Sequence, residues 1–419
     1  MDMKGRLSFL RILGREFGID HEEVAKASQA YLDIQSIRKT DRLLTRSEQT
    51  LRNALKPHYE RFFERIRSLP FGMHFLVGVR ADLLASFQSL KHNESNDDTL
   101  KTLLQQWFGI PFLDLERITW GSSADVLEKI VHYEAVHAVP TWQALKQRLG
   151  PGRLCYGFFH REMPREPLVF VQTALTEQIA DNIDSILEDP SPGSVVPKVA
   201  TFYSISSSQK GLSGVELGNF LIKRVVKEIQ QHVPSVTVFC TLSPIPRFRK
   251  WLVAQMNLGG RGLLLDNEVE GLKGIMGNGV EGSEGDVVVG LKEILERQWW
   301  KDERVVEVVR PVLMRLCSRY ILLEKKRSFA FDPVVSLIAN FHIRNGACVY
   351  RINWMADTSG KAMRQSYGMM INYVYKLEDV ESNNQRYLLD GRVAVFEPVH
   401  ESFGWAVGEV GKGGGRAKL

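Results

Sequence analysis

The sequence predicts an α+β protein in which an all-helical N-terminal bundle precedes an α/β domain. Two patterns lead to this prediction. Residues 7–115 repeat apolar side chains at helical spacing, whereas from Glu116 onward short strand-like runs alternate with helix-like segments. A chain of 419 residues is also long enough for two domains of ordinary size. We therefore expect a helical domain over residues 1–115 and a second domain over residues 116–419.

The composition narrows the class of protein. Hydrophobic residues make up 44% and charged residues 25%, which is typical of a globular chain and excludes a disordered or fibrous one. The net charge of +5 suits an anionic small molecule but is too small for a nucleic-acid-binding surface. The four cysteines form no CxxC pair and the histidines form no ligand group, so neither a disulfide scaffold nor a metal site is expected. No apolar run reaches the roughly 20 residues needed to span a bilayer, so we expect a soluble intracellular protein without a membrane partner.

The helical region contains three segments with clear periodicity, at residues 47–69, 70–90 and 99–110. None of them has residues typical of a reaction centre. The region is therefore expected to serve packing or oligomerisation.

The second region alternates strands and helices. Strands are predicted at residues 168–175, 198–206, 235–242 and 347–354, and helices at residues 176–187, 214–232 and 331–342, the last with Asp332 as its N-cap. Residues 266–286 are predicted to form a surface excursion, and the Gly/Lys-rich tail from Gly408 is predicted to be disordered.

A glycine-rich loop, SSSQKGLSGVELGNF, lies between the strand at 198–206 and the helix after it. Gly211, Gly214 and Gly218 leave backbone amides unobstructed, and a helix N-terminus attracts anions, so a phosphate could bind here. The spacing is neither GxGxxG nor a Walker loop. Taken alone, the loop also fits a plain structural turn.

Two other residues could carry chemistry. Ser243 stands at the end of a strand and is followed by two prolines, although no GxSxG surrounds it. His342 lies in the predicted last turn of a helix, where the macrodipole favours the imidazolium form and would suit a proton donor. Taken alone, both residues also fit structural roles. His132 and His137 have no third ligand and are interpreted as packing residues.

Long motifs give the sequence a specific resemblance. YSISSSQKGLSGVELGNFLIKRVVKE, TLSPIPRF, ANFHIRNGACVYRINWMAD, FGMHFLVGVRADLL and ERITWGSSADVLEKI resemble the malonyl-CoA decarboxylase family, in the right order, from about residue 40 to about residue 376. The resemblance implies a helical N-terminal domain and a catalytic domain similar to the Gcn5-related acetyltransferase fold. In such folds two central strands splay, and the loop after the first strand binds the pyrophosphate of coenzyme A.

The resemblance also implies the site residues. The substrate-binding stretch matches Ser213, Gly214, Val215, Glu216, Leu217, Gly218 and Asn219. Ser243 and His342 match the family's catalytic serine and histidine, and are also expected to bind substrate, while Glu216 and Tyr375 match supporting residues. The segment Val335–Ile338 departs from the family's pattern by one extra helical turn upstream of His342.

The implied reaction converts malonyl-CoA to acetyl-CoA and CO2 in fatty-acid metabolism. Because the thioester carbonyl can hold the carbanion as an enolate, no cofactor is expected. Ser243 would position the carboxylate, with Glu216 orienting its hydroxyl, although the family role of this serine is proton acceptor. His342 would protonate the enolate carbon, and Tyr375 would hold His342 or the thioester.

Two alternatives fit the same fold. The first is an acyl-CoA-dependent acyltransferase, which would need a base for its acceptor. The second is a non-catalytic acyl-CoA-binding protein in which the extra turn displaces His342.

The resemblance further implies a homo-oligomer, a dimer or tetramer, with the N-terminal helices as its interface. Ala417-Lys418-Leu419 resembles the peroxisomal tripeptide, so a peroxisomal location is expected, with cytoplasm or mitochondrion as the alternatives.

Overall fold

Among the described residues, six helices form the first part of the chain, which the sequence predicts to be helical, and the segment predicted at 47–69 is divided between two of them. The computed structural model describes residues 3–36, 41–86, 94–188, 196–276, 283–324 and 336–412. The helices are α1 (Met3–Glu16), α2 (His21–Ser36), α3 (Asp41–Ala54), α4 (Tyr59–Arg67), α5 (Gly72–Ser86) and α6 (Glu94–Trp107). A short 3-10 turn at Ile110–Phe112 leads into the first strand at Leu113. Among the described residues, no helix has both the length and the apolar character needed to cross a membrane.

A mixed sheet of eight strands follows. The strands are β1 (Leu113–Ile118), β2 (Arg153–His160), β3 (Val169–Thr176), β4 (Val199–Ser207), β5 (Val238–Thr241), β6 (Ser243–Pro244), β7 (Cys348–Asn353) and β8 (Met370–Tyr375). Their order is β1-β2-β3-β4-β5-β8-β6, and β7 pairs with β8. Among these eight strands of the described residues, β4 pairs with β5 in parallel and every other pairing is antiparallel. The strands predicted at 168–175, 198–206, 235–242 and 347–354 are confirmed.

The two central strands separate at the middle of the sheet. The ladder between β4 and β5 ends at the pair Phe202 and Thr241. Beyond it β4 remains paired with β3 as far as Ser207, while Ser243 pairs with Ile371 on β8. The resulting gap places Ser243 at its edge.

The described part of the second region also contains twelve α-helices. They are α7 (Ala124–Tyr133), α8 (Trp142–Arg148), α9 (Asp184–Leu187), α10 (Leu217–His232), α11 (Phe248–Asn257), α12 (Asp266–Met276), α13 (Glu284–Glu296), α14 (Glu303–Leu322), α15 (Leu337–Arg344), α16 (Gly360–Ser366), α17 (Val380–Asp390) and α18 (Glu401–Lys412). Helix α10 has its apolar stripe buried, with Leu221, Val225 and Ile229 fully covered, because these residues recur one turn apart.

Three local predictions are wrong. The excursion expected at 266–286 is helical over α12 and again from Glu284, where Ser283 and Asp286 form a capping box. The tail expected to be disordered from Gly408 is helical to Lys412, and its remainder, 413–419, lies outside the described residues. In the segment 176–187 only the four residues of α9 are helical.

The helix that carries His342 starts later than predicted. Helix α15 begins at Leu337, and the Ser336 hydroxyl accepts a hydrogen bond from the Ala339 amide as its N-cap. The expected N-cap, Asp332, lies outside the described residues, as does Val335 of the extra turn. The other end of that turn, Ile338, lies in the first turn of α15 and lines the main cavity described below.

A continuous hydrophobic core joins the helical region to the sheet. It includes Leu76 and Leu104 from the N-terminal helices and Leu212 and Leu221 from the glycine-rich loop and the helix after it. This packing brings α5 and α6 against the site.

Candidate active site

The glycine-rich loop after β4 is braced by helix α5. The buried Arg80 guanidinium donates from Nη1 to the carbonyl oxygens of Gly211, at 2.5 Å, and Ser213, at 2.8 Å. A Cβ atom at position 211 would lie 1.9 Å from the Val77 carbonyl oxygen. Only glycine permits so close an approach of two backbones, so the loop and α5 fix each other's positions.

The loop ends at the N-terminus of α10, where the N-cap residue Glu216 makes no side-chain cap hydrogen bond and the helix dipole favours an anion. Gly214 has a φ of +80°, which favours glycine, and its carbonyl oxygen accepts from Gln105 Nε2 at 3.4 Å. Lys101, one turn before Gln105 on α6, also contacts this part of the loop. Lys210 is exposed beside it. Basic side chains and a helix N-terminus therefore lie together here, an arrangement that favours a negatively charged group.

A cavity of about 1250 Å³ runs from this loop to the gap between the central strands. The whole stretch from Ser213 to Asn219 lines it, and so do Ser243 and His342. The structure thus brings the three predicted elements to one cavity. Its volume suits a ligand of nucleotide size.

Ser243, His342 and Tyr375 form a continuous hydrogen-bonded chain. His342 Nε2 lies 3.3 Å from Ser243 Oγ, and His342 Nδ1 lies 2.8 Å from the Tyr375 hydroxyl. Ser243 Oγ donates to Thr241 Oγ1 at 2.9 Å, and that oxygen also accepts from the Tyr373 amide at 3.2 Å.

This network assigns the histidine tautomer. Because the Ser243 hydroxyl proton points to Thr241, the Nε2–H of His342 is the donor in its contact with Ser243. A neutral ring then has no proton on Nδ1, so the Tyr375 hydroxyl donates to it. The proton on Nε2 is therefore next to Ser243, which lines the cavity together with His342.

Burial determines the charge of His342. The side chain is 3% exposed and stacks on the Tyr373 ring with centroids 4.7 Å apart. Burial lowers the pKa of His342 to about 3, so the imidazole is neutral at physiological pH. The expectation of an imidazolium is wrong, because desolvation outweighs the dipole of a short helix. Burial also raises the pKa of Tyr375, which keeps its hydroxyl protonated.

Glu216 does not contact Ser243. It is the N-cap residue of α10, and its Oε1 lies 2.7 Å from Nη2 of Arg344, the last residue of α15. Both side chains are about half exposed. The expected orientation of the Ser243 hydroxyl by Glu216 is therefore wrong, and Thr241 takes that place. Glu216 instead links two elements at the rim of the cavity.

The remaining predicted residues fall into two groups. Tyr375 lies behind His342 and does not line the main cavity. His132 is exposed, whereas His137 is buried with Nδ1 3.8 Å from Asp357.

Sequence reasoning missed three contributors to the site. Thr241 holds Ser243, Arg80 holds the loop, and Lys101 lies beside it. The signal for Arg80 was a single arginine inside a largely apolar helix, since such a side chain is rarely buried without specific partners.

Buried histidines, among them His342 and His137, should make the protein sensitive to acid. Burial lowers the pKa of His342 to about 3 and of His137 to about 4, from an ordinary 6.5. Between those values the unfolded chain binds protons that the folded chain does not. The free energy of unfolding should therefore decline as pH falls below about 6.5, by up to roughly 1.4 kcal/mol per pH unit for each histidine.

Urea denaturation at about pH 7 and about pH 5 measures this decline. A His342→Asn variant should lose less stability between the two conditions than the wild type. Equal losses in both proteins would show that His342 is not buried as a neutral ring.

Comparison with known proteins connects this geometry to a family. Residues 17–108 match the family model for the malonyl-CoA decarboxylase N-terminal domain, and residues 111–409 match that for its C-terminal domain. Mitochondrial malonyl-CoA decarboxylase of Mus musculus is 42% identical over 94% of this chain and 81% of its own length. Mitochondrial malonyl-CoA decarboxylase of Anser anser anser is 41% identical over 94% of this chain and 79% of its own length.

Comparison with solved structures points to the same family. Malonyl-CoA decarboxylase from Agrobacterium vitis superposes with a TM-score of 0.82 at 33% identity, covering 96% of this chain and 92% of that one. Malonyl-CoA decarboxylase from Rhodopseudomonas palustris superposes with a TM-score of 0.79 at 33% identity, covering 95% of this chain and 90% of that one. The sequence and the fold therefore lead to the same conclusion: this chain belongs to the malonyl-CoA decarboxylase family.

Proposed function

We propose that this protein decarboxylates malonyl-CoA to acetyl-CoA and CO2 in fatty-acid metabolism. The observation that supports this most strongly is the buried chain of Ser243, His342 and Tyr375 at a cavity that also contains an anion-binding loop. One part of the cavity suits the phosphates of coenzyme A. The other offers a proton donor and a hydroxyl to an acyl group.

For this reaction the protein must orient the substrate and supply one proton. When the bond to the carboxylate breaks, its electron pair moves into the thioester carbonyl as an enolate, so no external electron sink is needed. The protein must hold the carboxylate out of the carbonyl plane, stabilise the enolate and protonate its carbon.

His342 is the proton donor in this proposal. Its Nε2–H lies next to Ser243, and neutral imidazole is a sufficient acid for so basic a carbon as that of an enolate. Ser243 positions the malonyl group next to this proton, held by Thr241 rather than by Glu216. Tyr375 fixes the ring through Nδ1. Glu216 closes the rim of the cavity through Arg344.

The loop from Ser213 to Asn219 would hold the nucleotide end of the substrate. Its amides at the start of α10 and the side chains of Lys101 and Lys210 match the negative charge of phosphates. The N-terminal helices are thus part of the proposed binding site, in addition to any role in assembly.

One incubation separates this proposal from the two alternatives. The purified protein is mixed with malonyl-CoA alone, with and without exhaustive chelation, and acetyl-CoA and CO2 are quantified. We expect equimolar products and no effect of the chelator. An acyltransferase would form neither product and would release free coenzyme A only with an added acceptor, whereas a binding protein would leave malonyl-CoA unchanged. A loss of activity that added metal restores would contradict the cofactor-independent mechanism.

We also propose a domain division and an assembly. Because the predicted boundary between residues 115 and 116 falls inside β1, we infer a helical domain that ends before Leu113 and a catalytic domain from β1 onward, with the chain assembling as a dimer or tetramer through the N-terminal helices. Phe9, Ile12 and Phe17 in that region are at least one-third exposed, which favours an interface there. Sedimentation of the wild type measures the assembly.

Location is likewise a proposal. The curated relatives are named mitochondrial, whereas Ala417-Lys418-Leu419, outside the described residues, favours the peroxisome. A fluorescent protein ending in residues 411–419 should collect in peroxisomes, and diffuse fluorescence would contradict this.

A further inference from the structure

A second cavity, of about 400 Å³, lies on the far side of the hydrogen-bonded chain. Tyr375 lines this cavity although it does not line the main one. Asn219 and Asn345 line both, so the two cavities are neighbours. Lys223 and Lys227 also line the second cavity and are exposed, which opens it to water.

Proton transfer from a neutral histidine creates a need for a second proton. When His342 Nε2 gives up its proton, the ring would become an imidazolate unless Nδ1 gains one. The Tyr375 hydroxyl can supply it at 2.8 Å, but would then be a tyrosinate, whose charge burial disfavours. The main cavity contains substrate at that moment, so the proton that restores Tyr375 must come from elsewhere.

We propose that water in the second cavity donates this proton, through Tyr375, to His342 during the chemical step. This inference rests on the proposed decarboxylation. The Nε2–H bond breaks as the C–H bond of acetyl-CoA forms. The O–H bond of Tyr375 breaks as the Nδ1–H bond forms, and a solvent proton restores the Tyr375 hydroxyl. Neither side chain is left with a charge.

The resting state returns after the product leaves. Water in the open main cavity protonates Nε2, and the Nδ1 proton returns through Tyr375 to the second cavity. One solvent proton is consumed per turnover, which matches the conversion of a malonyl carboxylate into CO2 and a methyl group.

Filling the second cavity tests this route. Leu377 is 41% exposed and lines the second cavity, so Leu377→Trp can cover it without disturbing the core. Leu388→Trp is the matched control, since Leu388 is 51% exposed and lines neither cavity. Val226→Phe fills the cavity from α10 as an independent second variant.

We expect both filling variants to lower kcat by roughly tenfold, a part of the usual general-acid contribution, and to enlarge the solvent isotope effect on kcat. The Kd for coenzyme A should not change, and Leu388→Trp should behave as the wild type. Tyr375→Phe should lower kcat by about 10²-fold. In that background Leu377→Trp should add no further loss, because the route is already broken.

Three outcomes would overturn the proposal. Folded Leu377→Trp and Val226→Phe variants with wild-type kcat and isotope effect would show that protons arrive by another path. An equal loss from Leu377→Trp in the wild type and in Tyr375→Phe would show that the substitution acts elsewhere. If the wild type itself releases no CO2, the proposed function fails with it, and the assay shows this separately.

Discussion

Replacing either Ser243 by Ala or His342 by Asn should reduce the turnover of malonyl-CoA on the order of 10²–10⁴-fold, the range usual for the loss of a general acid or base. Both side chains line the part of the cavity proposed to hold the acyl group. The Nε2–H of His342, next to Ser243, is the proton proposed to reach the enolate carbon. Steady-state release of CO2 measures the effect. The Kd for coenzyme A should stay close to that of the wild type, since the loop after β4 is unchanged.

His132→Asn is the matched control for His342→Asn, because His132 is exposed on α7 and lines neither cavity. It should have wild-type turnover. Near-wild-type turnover in a folded His342→Asn variant would show that the proton comes from another group.

Gly211→Ala should weaken the binding of malonyl-CoA by roughly tenfold or more, which corresponds to about 1.4 kcal/mol or more. Its Cβ would lie 1.9 Å from the Val77 carbonyl oxygen, so the loop or α5 must move, and the contacts of Arg80 with the loop must move with it. Because Ser243 and His342 belong to other elements, kcat should change only a few-fold. Titration with coenzyme A and steady-state kinetics separate the two effects.

Gly274→Ala is the control for this substitution. Gly274 lies in α12 with no atom within 4 Å of its would-be Cβ, and alanine is the better helix former. Unchanged coenzyme A affinity in a folded Gly211→Ala variant would contradict the bracing of the loop by α5.

The elements of the site could be predicted from sequence where the signal is local. The alternating and apolar runs predict β3 and β4, and the leucine and valine spacing predicts α10, because neighbours along the chain determine these patterns. The prediction of a surface excursion at 266–286 was wrong for a local reason as well. Its Gly, Glu and Asn content concealed helix α12 and the capping box at Ser283.

The parts that could not be predicted depend on contacts between distant segments. Arg80 reaches Gly211 across 131 positions, and no periodicity reveals such a contact. The charge of His342 is a similar case. Its place at a helix end predicts an imidazolium, but the surrounding Tyr373 and Tyr375 exclude water and keep the ring neutral.

Decarboxylation of malonyl-CoA in D2O tests the central claim most directly. The wild type is mixed with malonyl-CoA and no acceptor, and the methyl group of the product is examined by NMR while CO2 is measured. We expect acetyl-CoA with one deuterium in its methyl group and an equal amount of CO2, because His342 takes its proton from solvent. Recovery of unchanged malonyl-CoA, or of free coenzyme A without acetyl-CoA, would contradict a decarboxylase that uses Ser243 and His342.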